Sequence, residues 1–118
     1  MENKVRGKLG EIRAEQYLAQ KGCEILARNV VAQGSEIDLV VRDGEMIVFV
    51  EVKARTGSFS KGREAVTAAK HRRISKGALY YMMKNGLMNR QARFDVIEIQ
   101  GERVTHIVDA FPYQGPAF

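Results

Sequence analysis

Glu51 and Lys53 stand two residues apart at the far end of the run Ile47-Val48-Phe49-Val50-Glu51-Val52-Lys53. A run that opens with four apolar residues predicts a buried strand, and side chains two positions apart leave the same face of it. An acid and a base therefore emerge side by side where the apolar face carried by Ile47 and Phe49 runs out. Asp38 lies upstream, inside a second strand-like run from Glu36 to Val41. The link is Arg42-Asp43-Gly44-Glu45, whose Asp-Gly pair is a strong hairpin signal, so the two runs are expected to be antiparallel neighbours. If the two-residue loop is Asp43-Gly44, Asp38 faces Phe49 and lies diagonal to Glu51. If it is Gly44-Glu45, Asp38 faces Glu51 directly. Either register brings the carboxylates within about 5 to 8 Å at the β-carbons, which one divalent cation can span.

Two readings of these three charges compete. As a surface cluster at a sheet edge they would be worth only about 0 to 1 kcal/mol per exposed pair. As a site, the carboxylates would hold a Mg²⁺-like ion, which takes oxygen ligands and keeps several waters. Lys53 would then lower the pKa of an attacking water or stabilise charge at a phosphate. Placement favours the site, because three charges at the ends of otherwise buried strands need compensation.

The remaining elements follow from periodicity and punctuation. Residues 6–21 read as a helix, with Val5, Leu9, Ile12, Tyr17 and Leu18 apolar at mixed three and four spacings, ending at Gly22. Glu11 shares a line of that helix with Ala14 and Leu18; by itself it reads as a solvated glutamate at the edge of the apolar face. Cys23 to Val31 is a first strand, broken by Gln33-Gly34-Ser35, and Ala54 to Gly62 is a loop of small polar residues. Arg63 to about Lys84 forms a long second helix, with Ile74, Ala78, Tyr81 and Met82 at core spacing and Gly77 as its weak point. Tyr80, Tyr81, Met82 and Met83 are expected to pack rather than bind a ligand. Asn85-Gly86 closes the helix, and strands follow at Arg93 to Ile99 and Val104 to Val108 around a Gly101-Glu102 hairpin loop. The tail, Ala110 to Phe118, is expected to pack as an irregular flap. The order of helix, three strands, helix and two strands describes one small α/β domain with a mixed sheet.

Bulk properties narrow the partners. The chain has 118 residues and a net charge of +5, which suits a polyanion. Lys61, Arg63, Lys70, Arg72, Arg73 and Lys76 crowd one stretch opposed only by Glu64, a candidate phosphate-facing surface. A single cysteine, Cys23, leaves neither an internal disulfide nor a thiolate metal cage. No apolar run is long enough to span a bilayer and no signal-like segment follows Met1, so a cytoplasmic protein is expected. His71 reads as solvated within the basic helix and His106 has no identifiable partner, so neither is assigned as a base.

Asp38, followed by Glu51-Val52-Lys53 after an apolar strand, resembles the PD-(D/E)xK nuclease signature. More specifically, the chain resembles the bacterial family UPF0102 (YraN), itself similar to the archaeal Holliday junction resolvases. The matching residues are Gly10-Glu11, Ala14 and Tyr17-Leu18, then Ile25-Leu26 with Arg28-Asn29, and Gly34 to Leu39. They continue through Val48 to Lys53 with Arg55, Ala65-Val66 with Lys70, Arg93 to Val96, and His106-Ile107 before Ala110-Phe111. Ser35 stands where the family usually has a second glycine, and Val31 where a basic residue is common, which weakens one DNA contact.

The resemblance implies a restriction-endonuclease-like three-layer fold, its mixed central sheet flanked by helices. It implies that Glu11, Asp38 and Glu51 hold Mg²⁺ or Mn²⁺, with Lys53 near the attacking water. Arg55, Lys70 and Arg73 become contacts to a nucleic acid backbone. Glu36 could substitute as a ligand but ranks below Asp38. The implied activity is metal-dependent hydrolysis of DNA, branched or single-stranded, by a homodimer. The alternative is a nucleic-acid-binding or scaffold protein on a nuclease fold without significant catalysis.

Overall fold

Apolar residues alternate along the central strands, and both sets are buried, so each face of the sheet must be covered. The structure, a computed structural model, describes residues 3–55 and 68–115, without the side chains of residues 3–7 and of Arg55. The elements are α1 (Asn3–Gln20), β1 (Glu24–Ala32), β2 (Ser35–Asp43), β3 (Met46–Arg55), α2 (Ala68–Lys84), β4 (Ala92–Gln100) and β5 (Arg103–Phe111). The loop after Arg55, Lys61, Arg63, Glu64 and the expected first turn of the second helix lie outside the described residues, as does the end of the tail.

The five strands lie in chain order, antiparallel except for β3 and β4, which run parallel. A parallel pair needs a crossover, and α2 is part of it. On one face Ile37, Val40, Ile47, Phe49, Phe94 and Val96 pack with Ile74, Ala78 and Met82 of α2. On the other, Leu39, Val41, Val48, Val50, Ile97 and Ile99 pack with Ala14 and Leu18 of α1. The result is the expected three-layer α/β arrangement, a mixed five-stranded sheet between two helices. Each fully buried aliphatic or phenylalanine side chain contributes about 1.5 to 3 kcal/mol. Neither helix is long and apolar enough to cross a membrane.

Asp43 pairs with Met46, so the hairpin loop is Gly44-Glu45, the second of the two registers. The ladder runs from there to Leu39 opposite Val50. It stops one step short of Asp38 and Glu51.

Three expectations about packing are corrected. Leu9 and Ile12 are exposed, at 52% and 45%, while Gly10, Ala14 and Leu18 face the sheet. Small residues let α1 lie close: a Cβ on Gly10 would stand 2.9 Å from the Ala54 Cβ. Gly77 is a close-packing point rather than a weak one, since a Cβ there would meet Ser35 Oγ at 2.6 Å and the Ala32 carbonyl at 3.2 Å. Of the Tyr80 to Met83 run, Tyr81 and Met82 pack, whereas Tyr80 and Met83 are exposed because they point away from the sheet side of α2.

Candidate active site

The side chains singled out for chemistry converge where β2 and β3 part. Beyond Leu39 the alternation of β2 slips: Ile37 and Val40 belong to the α2-side core, Leu39 and Val41 to the α1-side core. The slip falls at Asp38. Its neighbour in β1 is Asn29, between the register pairs Val30 with Ile37 and Arg28 with Leu39, and Asn29 adopts φ 49°. Left-handed backbone inside a strand is uncommon, and asparagine is among the few residues that tolerate it. The distortion breaks strict two-face geometry here, which lets residues from both helical layers approach one carboxylate.

Asp38 Oδ2 accepts the Val52 amide at 2.8 Å, which ties the carboxylate to β3 one residue past Glu51. Glu51 and Lys53 share a face of β3, as their spacing requires, with Lys53 Nζ 4.0 Å from Glu51 Oε1. Both side chains are nearly buried, at 12% and 13% exposure. From α2, Lys70 Nζ reaches the same Glu51 oxygen at 2.8 Å. Asp38, Glu51 and Lys70, together with Glu36 and Arg73, line a pocket of about 270 Å³ on the α2 face. Glu11 comes from α1, and Asn29 Nδ2 donates to Glu11 Oε1 at 3.1 Å and to Glu36 Oε2 at 3.3 Å.

The electrostatics record this crowding. Burial, and then the charge of Glu51, push the Asp38 carboxyl up to about 7, with Glu11 and Glu36 adding to the shift and the Val52 amide opposing it. Burial works against the charge on Lys70, yet the hydrogen bond and charge of Glu51 hold its ammonium above the ordinary lysine value. Glu51 has two ammonium groups beside it, and the charge of Asp38 also acts on Lys70, yet at Asp38 burial and the neighbouring carboxylates prevail.

Of the expected site residues, Asp38, Glu51, Lys53, Lys70 and Arg73 are brought together around the α2 face, and Glu11 joins through Asn29. The side chain of Arg55 lies outside the described residues. Asn29 was given no chemical role, although it stands among the residues that carry the family resemblance; a further signal was an amide residue in the middle of a strand, where asparagine is depleted.

Both histidines differ from expectation. His71 is half-buried and stacks on Phe111, ring centroids 3.8 Å apart. His106 has two partners, Asp95 at 2.7 Å from Nε2 and the Tyr17 hydroxyl at 3.1 Å from Nδ1. Asp95 is fully buried; burial disfavours its charge, but Arg93, the Asp109 amide and His106 hold it below the usual carboxylate value. A buried aspartate with this many donors is a core network beneath α1.

The donor set around Asp38 suits a hard divalent cation: carboxylate oxygens, no thiolate and no imidazole. At Asp38 burial and the neighbouring carboxylates disfavour the charged form, a penalty that such an ion would offset. As the side chains stand, no three His, Cys, Asp or Glu groups among the described residues form a ready metal-binding set. Lys70 on Glu51 and Asn29 on Glu11 occupy oxygens that an ion would take.

A family model described as "Uncharacterised protein family UPF0102" matches residues 10–99. A UPF0102 protein of Geobacter metallireducens is 46% identical over 116 residues, covering 94% of this chain and 95% of the relative. One from Geobacter sulfurreducens is 43% identical over 115 residues, covering 92% and 90%. A third, from Pelotomaculum thermopropionicum, is 40% identical over 115 residues, covering 92% and 96%.

Proposed function

The chain belongs to family UPF0102, and from the carboxylate cluster it folds around Asp38 we propose that it is a metal-dependent DNA endonuclease of PD-(D/E)xK type. The observation that carries this reading is the gathering of side chains: Asp38, Glu51 and Glu36 share one pocket with Lys70 and Arg73, Lys53 stands 4.0 Å from Glu51, and Asn29 joins Glu11 to Glu36. Like charges gathered around a buried acid cost stability, and such sites are where proteins take up cations or do proton chemistry.

Asp38, Glu51 and Glu11 would hold Mg²⁺ or Mn²⁺. The ion, when bound, polarises a phosphodiester oxygen and lowers the pKa of a coordinated water. Lys53, beside Glu51 on the same strand face, presents an ammonium where negative charge builds up at the phosphate. Lys70 and Arg73 line the same pocket from α2 and offer cationic donors to a nucleic acid backbone. Asn29 orients Glu11 and Glu36 toward the cluster. The net charge of +5 draws a polyanion to this surface.

The ion pair of Lys70 with Glu51 favours a second reading, a binding protein whose site is neutralised by its own lysine. One assay separates the two. Branched, single-stranded and duplex DNA are incubated with the protein and Mg²⁺ or Mn²⁺, and the parent is compared with Glu51→Ala. Metal-dependent cleavage lost in the variant supports the enzyme. Equal background in both, with binding retained, supports the binding protein.

A further inference from the structure

A second pocket, of about 180 Å³, opens on the same sheet face between α2 and β5. Two of its walls are rings: His71 and Phe111 stack with centroids 3.8 Å apart and planes within 3°. Phe94 continues the stack behind Phe111, at 4.9 Å and 10°. Val96 and Ile107 supply apolar lining. Lys53 and Glu98, which lie level with each other across β3 and β4, bring an ammonium and a carboxylate to the same cavity.

The chemistry of that cavity is specific. A flat aromatic stack ends in an imidazole, which combines a π-face with polar edges, where packing alone needs only a hydrocarbon. Beside it Lys53 and Glu98 give the cavity a charged rim. A nucleobase is the planar ligand that matches, with a face that stacks on aromatic side chains and an edge that carries both donors and acceptors. Lys53 belongs to both sites: it lines this pocket and stands 4.0 Å from Glu51 in the carboxylate cluster. A base seated here therefore belongs to a nucleotide beside the phosphate held at that cluster.

We propose that the pocket between His71, Phe111, Lys53 and Glu98 takes one unpaired nucleobase of the DNA strand bound at the carboxylate cluster. The proposal rests on the nuclease reading for the strand's position, and it makes single-stranded DNA, or a junction with an unpaired nucleotide, the preferred ligand. A base inside a duplex reaches such a pocket only by leaving its stack, which disfavours duplex.

The test is binding in EDTA, so that no cleavage intervenes. A short single-stranded oligonucleotide carries the fluorescent base 2-aminopurine at successive positions, and a matched oligonucleotide carries abasic sites there. The parent is expected to change the 2-aminopurine emission at one position, and to bind the abasic strand roughly ten-fold more weakly, the usual effect of losing one stacked base. His71→Ala should lose a similar factor on the intact strand, while His71→Phe, which keeps the π-face and loses only the polar edge, should lose less. Equal affinity for intact and abasic strands overturns the proposal with no variant involved. Cleavage in Mg²⁺ is scored separately on the same strands. A base-dependent signal without cleavage refutes the nuclease reading and supports the pocket, whereas cleavage without any base dependence refutes the pocket alone.

Discussion

Replacing Asp38 by asparagine should stabilise this protein in alkaline buffer, the reverse of what most buried substitutions do. Asp38 ionises at about 7 in the folded chain against 3.8 in its ordinary state. The folded state thus holds the proton more tightly than the unfolded state, and the contribution of this group to stability is greatest below pH 3.8. It falls as pH rises, by about 1.4 kcal/mol per unit, until the folded group itself ionises near pH 7. Asparagine has nearly the same shape, can still accept the Val52 amide, and carries no charge. Between pH 5 and pH 8 the parent should lose about 3 kcal/mol relative to Asp38→Asn, two pH units of linkage, and the comparison cancels groups that titrate in both proteins. Urea denaturation at a series of pH values reads this directly. Saturating Mg²⁺ should restore much of the difference to the parent at pH 8 and little to the variant, because a ligand that binds only the folded state stabilises it. A parent and variant that track each other across this range would refute the crowding of carboxylates around Asp38.

Three more outcomes follow from neighbouring residues. Asn29→Ala should destabilise by about 1 to 2 kcal/mol more than Asn29→Gly, because only glycine escapes the cost of the left-handed backbone at φ 49°; chemical denaturation checks it. Gly77→Ala should cost about 1 to 3 kcal/mol, since its Cβ would meet Ser35 Oγ at 2.6 Å and push α2 off the β1–β2 turn. A thermal melt followed by circular dichroism measures this loss. Lys70→Gln should weaken DNA binding evenly across sequences and reduce the slope of log affinity against log salt by about 1, as loss of one phosphate contact does.

The positions of Asp38, Glu51 and Lys53 were legible because they depend on short-range rules. A two-residue spacing on a strand fixes a shared face, and a hairpin signal fixes a neighbour. The register stayed open between two choices, since Asp43-Gly44 and Gly44-Glu45 both serve as loops; the pairing of Asp43 with Met46 decides it. Other features depend on contacts across the fold and leave little local trace. Nothing adjacent in sequence announces that Gly77 touches Ser35, that His106 joins Asp95 to Tyr17, or that α1 turns Gly10 and Ala14 inward and Leu9 outward. The apolar periodicity of α1 pointed to the larger side chains, but helix-to-sheet distance was set by the small ones. The slip of β2 at Asp38 is of the same kind: it is visible only beside Asn29, and it brings Glu11 from the α1 layer to a site formed mainly on the α2 face.

The most direct measurement is the single-turnover rate of strand cleavage in Mg²⁺ by the parent and by Asp38→Asn, on end-labelled DNA with an unpaired segment. Asparagine keeps the shape and the Val52 contact while removing one anionic ligand, so the expected result is metal-dependent cleavage by the parent and a rate about 100-fold lower or less in the variant. Equal rates in the two proteins, or a parent that leaves every strand intact in both Mg²⁺ and Mn²⁺, would contradict a nuclease built on this cluster.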